Sequence, residues 1–449
     1  MSDQQHGSRV SDQLPTTRRG RQRTSRRSCR VAVAGLGTVG RSVVRLLLEH
    51  APEIELVAIC NRDIARKREG WDGPDILWTD SFDELIAQRP DVFIELIGGR
   101  DPAESWIARA LGAGISVVTA NKQVIAESGA ALQERAAAAR CQLRFEAAVA
   151  GGVPVIRGIE SGLAGDRLTR VSGILNGTCN YILTMMEASG SLFAEALREA
   201  QALGFAEANP TDDVDGLDAR AKIAILAMVA LETIVNPSDI ACRSIAGVGV
   251  VDFQYARQLG CTIRQVAWAE RADGGVLTAR VGPSLVPLTS ALAHAQGSEN
   301  LVTVLGQSGG ETTFGGRGAG GDATAVAVVS DVLAIARGGD PQASGARSVV
   351  TPSAEYWAPF YVRFTVADRP GIIAALAAVF ASHGVNIDAV LQEPGHPAER
   401  RPFVMSLDAC LVSAVERALG ETAQFDFNVV PPFVMPVLTS GPNSAQAAR

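Results

Sequence analysis

Several features are scarce or missing from this 449-residue sequence, and each absence excludes a class of protein. No apolar run reaches the roughly 20 residues of a membrane-spanning helix, so we expect no membrane association. The seven cysteines form no C-x-x-C pair and are odd in number, which predicts reduced thiols in a cytoplasmic protein. A net charge of −7 argues against nucleic acid as a partner.

The sequence instead has the composition of an α/β enzyme with two or three domains, with 47% hydrophobic residues and a mean hydropathy of +0.14. Its first 29 residues differ from the rest, because arginines cluster there among Gly, Gln, Ser and Thr. That composition cannot bury a core, so residues 1–29 are predicted to be a disordered basic arm. Arg18 and Arg19 precede no clear apolar export segment or cleavage site, so no export signal is predicted.

A glycine-rich loop follows the first apolar segment, RVAVA at 30–34, and leads into a helical pattern from Arg41 to about His50. Gly35 suits the tight turn, Gly37 lets a pyrophosphate approach the backbone, and Gly40 allows close packing of helix and strand. This arrangement predicts a dinucleotide site. The predicted cofactor contacts are Gly35, Leu36, Gly37, Thr38, Val39, Gly40, Arg62, Lys67, Gly99 and Lys122.

The residues after the second strand indicate which nicotinamide cofactor binds. An acidic side chain there would hold the ribose 2′-hydroxyl and repel a 2′-phosphate. The chain has Asn61 and Arg62 at this point, followed by Arg66, Lys67 and Arg68. We therefore predict NADP with Arg62 as the partner of the 2′-phosphate and Lys67 as the next candidate, while the nearby Asp63 leaves NAD possible.

Strand-like and helix-like segments alternate as far as about residue 150, which predicts a doubly wound parallel sheet over 30–152 with a return helix at 320–340. Ligands of such sheets bind beyond the carboxyl ends of the strands. Gly98-Gly99 and the TANK segment at 119–122 both follow strand ends, so Lys122 is predicted to reach the cofactor or the substrate.

The following region, 153–319, has a mixed pattern that predicts an α+β substrate-binding and dimerisation domain. Its acidic segment, Gly204 to Lys222, places Asp218 and Lys222 four residues apart on one face of a predicted helix, with Glu207 in the preceding loop. Two carboxylates and an amine would suit a small zwitterionic substrate, although a solvated loop with one helical ion pair would look similar. The histidines lie outside these motifs, which leaves lysine to move a proton.

The bend EAAVAGGVP at 146–154 combines a carboxylate with backbone carbonyls that could ligate a hard cation. Further along, residues 341–354 are rich in Gly, Pro and Ser and are predicted to be a linker. Residues 355–440 follow a βαββαβ pattern typical of a ferredoxin-like module. Because it follows a linker, we expect this module to be separable from the rest of the chain.

Six motifs occur in the order found in one enzyme family. They are GLGTVG, TANK, EAAVAGGVP, GILNGTCNYIL, GFAEANPTDDVDGLDARAK and GRGAGGDATA. Residues 30 to 340 resemble homoserine dehydrogenase, and 355–440 are similar to an ACT domain, an amino-acid-sensing module. The chain reads Glu207-Ala-Asn-Pro where the family usually has E-P-D-P.

The resemblance implies NAD(P)-dependent interconversion of homoserine and aspartate 4-semialdehyde on the route to threonine, methionine and isoleucine. It implies that Glu207 holds the substrate amino group, that Asp218 orients the hydroxyl, and that Lys222 and Lys122 move its proton. It also implies that Gly320 lines the nicotinamide. Further expectations are threonine feedback through the ACT module, a homodimer or larger homo-oligomer, and a sodium ion bound by Glu146 with the carbonyls of Val149, Gly151 and Val153.

Two other functions compete with this interpretation. A non-catalytic sensor on a degenerate dehydrogenase scaffold would have lost the lysines or the glycine loop, and both are present. An aspartate dehydrogenase would lack the second acidic cluster and the ACT module.

Overall fold

The computed structural model describes residues 28–272, 274–339 and 347–439. Nearly all of the predicted basic arm, and the part of the predicted linker from 341 to 346, lie outside these residues. In the described ranges no helix is both long and apolar enough to cross a membrane. Each of the seven cysteines is a free thiol.

The first domain is the predicted doubly wound fold. Its strands pair in parallel in the order β3-β2-β1-β4-β5-β6, so the strand order reverses between β1 and β4. The elements are β1 (Cys29–Ala34), α1 (Thr38–His50), β2 (Ile54–Cys60), α2 (Ile64–Arg68), β3 (Leu77–Thr79), α3 (Phe82–Ala87), β4 (Val92–Glu95), α4 (Ala103–Gly112), β5 (Ser116–Thr119), α5 (Lys122–Ala138) and β6 (Leu143–Arg144).

Alternation of apolar side chains along β1 explains why this sheet is covered on both faces. Val31 and Val33 point into one apolar cluster, and Ala32 and Ala34 point into the other. Helices α1 and α12 (Gly321–Ala336) cover the first face, and α4 and α5 cover the second. The return helix predicted at 320–340 is therefore part of this domain, since α12 packs along α1.

The second domain pairs a mixed sheet with helices. Its strands lie in the order β13-β12-β7-β10-β11-β9, antiparallel except for the last pair. Two short strands, β8 and β14, pair separately. The elements before and after α12 are α6 (Val155–Arg157), β7 (Leu168–Ile174), α7 (Gly177–Ser189), α8 (Phe193–Ala202), α9 (Thr211–Val214), α10 (Leu217–Ala230), β8 (Thr233–Ile234), β9 (Ala241–Cys242), α11 (Val250–Gln258), β10 (Cys261–Arg271), β11 (Leu277–Pro287), β12 (Glu299–Gly306), β13 (Gly310–Arg317) and β14 (Ser348–Val349).

The C-terminal module has the predicted βαββαβ order and an antiparallel sheet arranged β16-β17-β15-β18. Helices α13 and α14 cover one face and share a core rich in phenylalanine with the sheet. The elements are β15 (Trp357–Val366), α13 (Ile372–Ser382), β16 (Ile387–Leu391), β17 (Arg401–Leu411), α14 (Val412–Thr422) and β18 (Asn428–Pro436).

The other face of this sheet packs against the second domain, so the expectation of a readily separable module was wrong. Tyr361, Val404 and Met435 belong to the same apolar core as α7 and α11. Asp252 of α11 is fully buried and accepts hydrogen bonds from the hydroxyl of Tyr361 at 2.6 Å and from the guanidinium of Arg363. The linker composition gave no sign of these contacts, because they form between surfaces distant in sequence.

Candidate active site

The glycine loop between β1 and α1 has the geometry of a phosphate cradle. Gly35 has a φ of +97°, and a Cβ atom there would lie 2.5 Å from the carbonyl oxygen of Leu96. A Cβ atom on Gly40 would lie 2.1 Å from the carbonyl oxygen of Gly35, so neither position accepts a larger residue. Gly37 caps α1 without a side chain, which leaves the first-turn N–H groups facing outward for an anion.

A second helix begins beside this loop. Gly320 caps α12 with a φ of +112°, and a Cβ atom on Gly321 would lie 3.0 Å from the side chains of Thr38 and Ser42. The N-terminus of α12 therefore lies against the N-terminus of α1. Gly320, Thr38 and Val39, all predicted cofactor contacts, lie at this junction, and the residues present fit a dinucleotide.

A cavity of about 520 Å³ extends from the glycine loop to α2 and contains several of the predicted cofactor contacts. The ammonium of Lys67 donates to the carbonyl of Leu36 at 3.0 Å, and Asn61 accepts from the N–H of Leu36 at 3.2 Å. Arg62 lines the cavity as an exposed side chain. The carboxylate of Asp63 pairs with Arg66 at 2.8 Å, which reduces its repulsion of a phosphate.

The predicted catalytic side chains converge on Asp218, the second residue of α10. Lys222 lies 2.7 Å from one carboxylate oxygen, one helical turn away, and Lys122 lies 3.0 Å from the other. Lys122 is the first residue of α5 in the first domain, so this contact joins the two domains. Asp218 and Lys222 are largely buried, with side-chain exposures of 12% and 14%, while Lys122 is 38% exposed.

The electrostatics of this cluster keep Asp218 ionised. Burial alone would raise the pKa of Asp218, but the ammonium groups of Lys222 and Lys122 and two hydrogen bonds lower it far below its ordinary value. Lys222 also donates to the carbonyl of Leu175 at 2.7 Å. A carboxylate fixed between two lysines can orient a hydroxyl while an amine takes or returns its proton.

The sequence interpretation assigned no role to Asn176 and Asp213, which complete this cluster. The amide of Asn176 donates to Asp213 at 2.6 Å and to Asp218 at 2.9 Å, and its oxygen caps α7 through the N–H of Cys179. Burial and the nearby Asp218 raise the pKa of Asp213. The segment Asn-Gly-Thr before an apolar helix was the available signal, since it is typical of a helix cap.

A cavity of about 350 Å³ opens beside these residues. Its lining includes Lys122, Asp213 and Asp218, and Glu207 lies at its exposed rim. The cavity therefore brings two of the predicted substrate contacts, Glu207 and Asp218, next to Lys122 of the first domain, while Lys222 lies behind Asp218 and outside the lining.

Glu146 is buried, and its carboxylate accepts hydrogen bonds from the N–H groups of Ile156 at 2.8 Å and Arg157 at 2.9 Å. Burial and the neighbouring Asp331 raise its pKa to about 7. In the part of the chain that the structure describes, no three His, Cys, Asp or Glu side chains are grouped to hold a metal. A site of one carboxylate and several carbonyls would be of another kind, but the groups that contact the two carboxylate oxygens of Glu146 here are backbone N–H donors.

Comparison with known proteins identifies the family. A family model described as homoserine dehydrogenase matches residues 154–333, and one described as its NAD binding domain matches 35–146. The chain is 43% identical over 418 residues to the homoserine dehydrogenase of Mycobacterium tuberculosis, with 89% of this chain and 95% of the relative covered. The chain belongs to the homoserine dehydrogenase family. It is an oxidoreductase that acts on a CH–OH group and carries an NAD(P)-binding domain.

Solved structures agree with this assignment. A homoserine dehydrogenase from Thiobacillus denitrificans aligns with a TM-score of 0.83 at 30% identity and covers 92% of this chain and 98% of its own. A hyperthermophilic archaeal homoserine dehydrogenase in complex with NADPH aligns with a TM-score of 0.59 at 26% identity, covering 70% of this chain and 99% of its own. A third family model, described as the ACT domain, matches residues 360–422 and confirms the C-terminal module.

Proposed function

We propose that this family member interconverts L-homoserine and L-aspartate 4-semialdehyde with a nicotinamide cofactor, on the route to threonine, methionine and isoleucine. The observation that carries the proposal is the carboxylate of Asp218 held between Lys222 at 2.7 Å and Lys122 at 3.0 Å. This arrangement lies beside a cavity large enough for a small amino acid and at the junction with the dinucleotide domain.

In the proposed mechanism, the bound cofactor supplies the hydride acceptor, and the side chains position the substrate and handle one proton. Asp218, which stays ionised, orients the substrate hydroxyl. One of Lys222 and Lys122, as the neutral amine, accepts the hydroxyl proton as the carbonyl forms, and the resulting ammonium returns the proton in the reverse direction. The hydrogen bonds from Lys222 to Asp218 and to the carbonyl of Leu175 support this role, because they fix the side-chain nitrogen in one position.

Glu207 is proposed to bind the substrate ammonium, with its exposed position at the rim of the cavity as support. The carboxylate of Glu207 would contact the substrate ammonium throughout the reaction, so Glu207 would contribute to substrate affinity more than to turnover.

NADP is the proposed cofactor. Support comes from the position of Arg62 in the cavity at the glycine loop, from the pairing of Asp63 with Arg66, and from the archaeal relative solved with NADPH. Sodium is proposed at Glu146 with the carbonyls of Val149, Gly151 and Val153. A buried carboxylate whose pKa is raised to about 7 would gain from a cation, since a cation offsets the cost of its charge.

Threonine is the proposed effector of the ACT module, and the extensive contact of this module with α11 supports communication with the second domain. We further propose a cytoplasmic homodimer or larger homo-oligomer.

The deciding experiment measures homoserine oxidation by the purified full-length chain with NADP and with NAD, in the presence and absence of millimolar threonine. We expect turnover with a preference for NADP and inhibition by threonine. Absence of turnover with either cofactor would refute the proposed reaction. Turnover that is indifferent to threonine would refute the regulatory part alone.

A further inference from the structure

Glu95, the last residue of β4, is a fully buried carboxylate in the centre of the parallel sheet. Most residues at such a position are apolar, because a buried charge is costly unless it is compensated by hydrogen bonds or an ion pair. The compensation here consists of hydrogen-bond donors: the N–H groups of Ile97 at 2.8 Å and Gly98 at 3.3 Å, and the hydroxyl of Thr119 at 2.5 Å. Each carboxylate oxygen accepts hydrogen bonds from a different segment, one after β4 and the other at the end of β5.

The first oxygen, Oε1, holds the loop after β4. This loop contains Gly98 and Gly99, whose φ angles are +71° and +69°. Its residues Ile97 and Gly98 line the cavity that also contains Gly35 and Gly37 of the phosphate cradle. Glu95 therefore fixes a loop with left-handed backbone at the wall of the predicted cofactor site.

The second oxygen, Oε2, holds the loop after β5 through Thr119. The hydroxyl of Thr119 accepts from the N–H of Asn121 at 2.9 Å, and the amide of Asn121 donates to the carbonyl of Gly99 at 2.6 Å. The side-chain oxygen of Asn121 also caps α5 through the N–H of Val124 at 3.2 Å. The first residue of the capped helix is Lys122, which pairs with Asp218.

We propose that Glu95 is a positioning residue that joins the cofactor loop at Ile97–Gly99 to the segment carrying Lys122, through Thr119 and Asn121. Its carboxylate sets the place of Lys122 relative to the cofactor without touching the substrate. This inference rests on the proposed dehydrogenase reaction, in which Lys122 handles a proton. Among the described residues, the hydroxyl of Thr119 bonds only the carboxylate of Glu95 and the N–H of Asn121.

The sharpest test compares the same isosteric substitution at two strand ends. Thr119→Val removes the hydroxyl that links Glu95 to Asn121, and Thr79→Val removes a buried hydroxyl at the end of β3, where it bonds Glu84 instead. We expect Thr119→Val to lower kcat about tenfold or more, with a small change in the homoserine KM, while Thr79→Val leaves kcat near the wild-type value. Equal kcat in both variants would overturn the proposal, whatever their stability.

A second pair of variants tests Glu95 itself through cofactor binding. Glu95→Gln keeps an oxygen for Ile97 and Gly98, whereas Glu95→Leu removes it, so we expect NADPH to bind several-fold more tightly to the glutamine variant. NADPH affinity is measured by nucleotide fluorescence without turnover, so it also judges the proposal if the wild-type chain fails to oxidise homoserine. Equal NADPH affinity in two folded variants would overturn the role of Glu95. If Glu95→Leu does not fold, the comparison of kcat between Thr119→Val and Thr79→Val decides, and equal values would overturn the proposal.

Discussion

The contact of Asp252 with the ACT module gives the sharpest stability prediction. Asp252 has no exposed surface, and its carboxylate accepts from Tyr361, from Arg363 and from the N–H of Gly249 at 2.7 Å. Burial raises the pKa of Asp252, and Arg363 and the hydrogen bonds act against this effect. Arg363→Met would keep most of the apolar stem and leave the carboxylate buried without its cation.

The expected loss in the free energy of unfolding depends on whether the substitution removes the ion pair or one hydrogen bond. Breaking a buried ion pair by removing one partner costs about 3–5 kcal/mol, because an uncompensated charge remains. Tyr361→Phe should cost about 1.5–3 kcal/mol, the usual value for one hydrogen bond to a charged group. Replacing both partners, as in Asp252→Leu with Arg363→Met, should cost less than the sum of the single changes, since no buried charge is left unpaired.

The assay is urea unfolding of the full chain, followed by tryptophan fluorescence and by activity. Arg369→Met is the matched control, because Arg369 pairs with Asp426 on the exposed side of the same module, where the side chains are 54% and 76% exposed. We expect the control to unfold close to wild type. An unchanged unfolding midpoint for Arg363→Met, or a module that unfolds alone while the rest stays folded and active, would refute this account of the docking.

Three further predictions concern the site. Lys222→Ala should lower kcat by about 100-fold or more, whereas Glu207→Gln should mainly raise the homoserine KM; near-normal turnover of Lys222→Ala would contradict its role. Arg62→Ala should weaken NADPH by about 1.5–3 kcal/mol and NADH little, while the control Arg68→Ala should affect neither. Sodium chloride should raise Tm more at pH 8 than at pH 5.5, because protons compete with sodium for Glu146. Glu146→Gln should abolish this difference between the two pH values. Choline chloride, the control salt, should not raise the Tm of the wild-type chain in this way.

The sign of the sodium prediction follows from the pKa of Glu146, which is raised from 4.5 to about 7. Without a cation, the folded chain binds this proton more strongly than the unfolded chain does. Glu146 therefore stabilises the fold fully below the ordinary pKa, and this contribution is lost as the pH rises toward 7. In the proposed site, a sodium ion would take the place of the proton above that pH.

The sequence predicted the parts of the site that depend on local geometry. Asp218 and Lys222 meet because they lie one helical turn apart, and the glycine loop takes its shape from the strand and helix on either side. The spacing of residues could not place Lys122 against Asp218, since that contact joins two domains across 96 positions (218 − 122). The position of Lys122 after a strand end predicted only that it reaches the cofactor or the substrate, and the resemblance to a family gave it a part in proton transfer beside Lys222.

Other features depended on partners distant in the chain. Residues 315–321 have a glycine-rich composition that is typical of a loop, but β13 extends through Gly315 to Arg317. The pairing of Gly315 with Leu301 of β12 explains the difference, because a Cβ atom on Gly315 would lie 2.6 Å from the Leu301 side chain. Glycine is therefore needed for close packing at that point of the strand. The sequence analysis also did not predict helix α11 or its docking on the ACT sheet, because that docking depends on residues distant in the chain.

The segment 243–247 contacts both the ACT module and the end of α9, the helix that precedes α10, and the strength of the docking limits how an effector could act on the site. Arg243 pairs with Glu416 of α14 at 2.7 Å, and the hydroxyl of Ser244 donates to the carbonyl of Val214 at 3.3 Å, four residues before Asp218. Allosteric coupling is typically about 1–3 kcal/mol, whereas undocking would expose buried apolar side chains such as Val404 and Met435, at a cost of about 1.5–3 kcal/mol each. An effector is therefore expected to act with the module docked, by shifting this segment and the turn between α9 and α10, because undocking would consume more free energy than the coupling supplies.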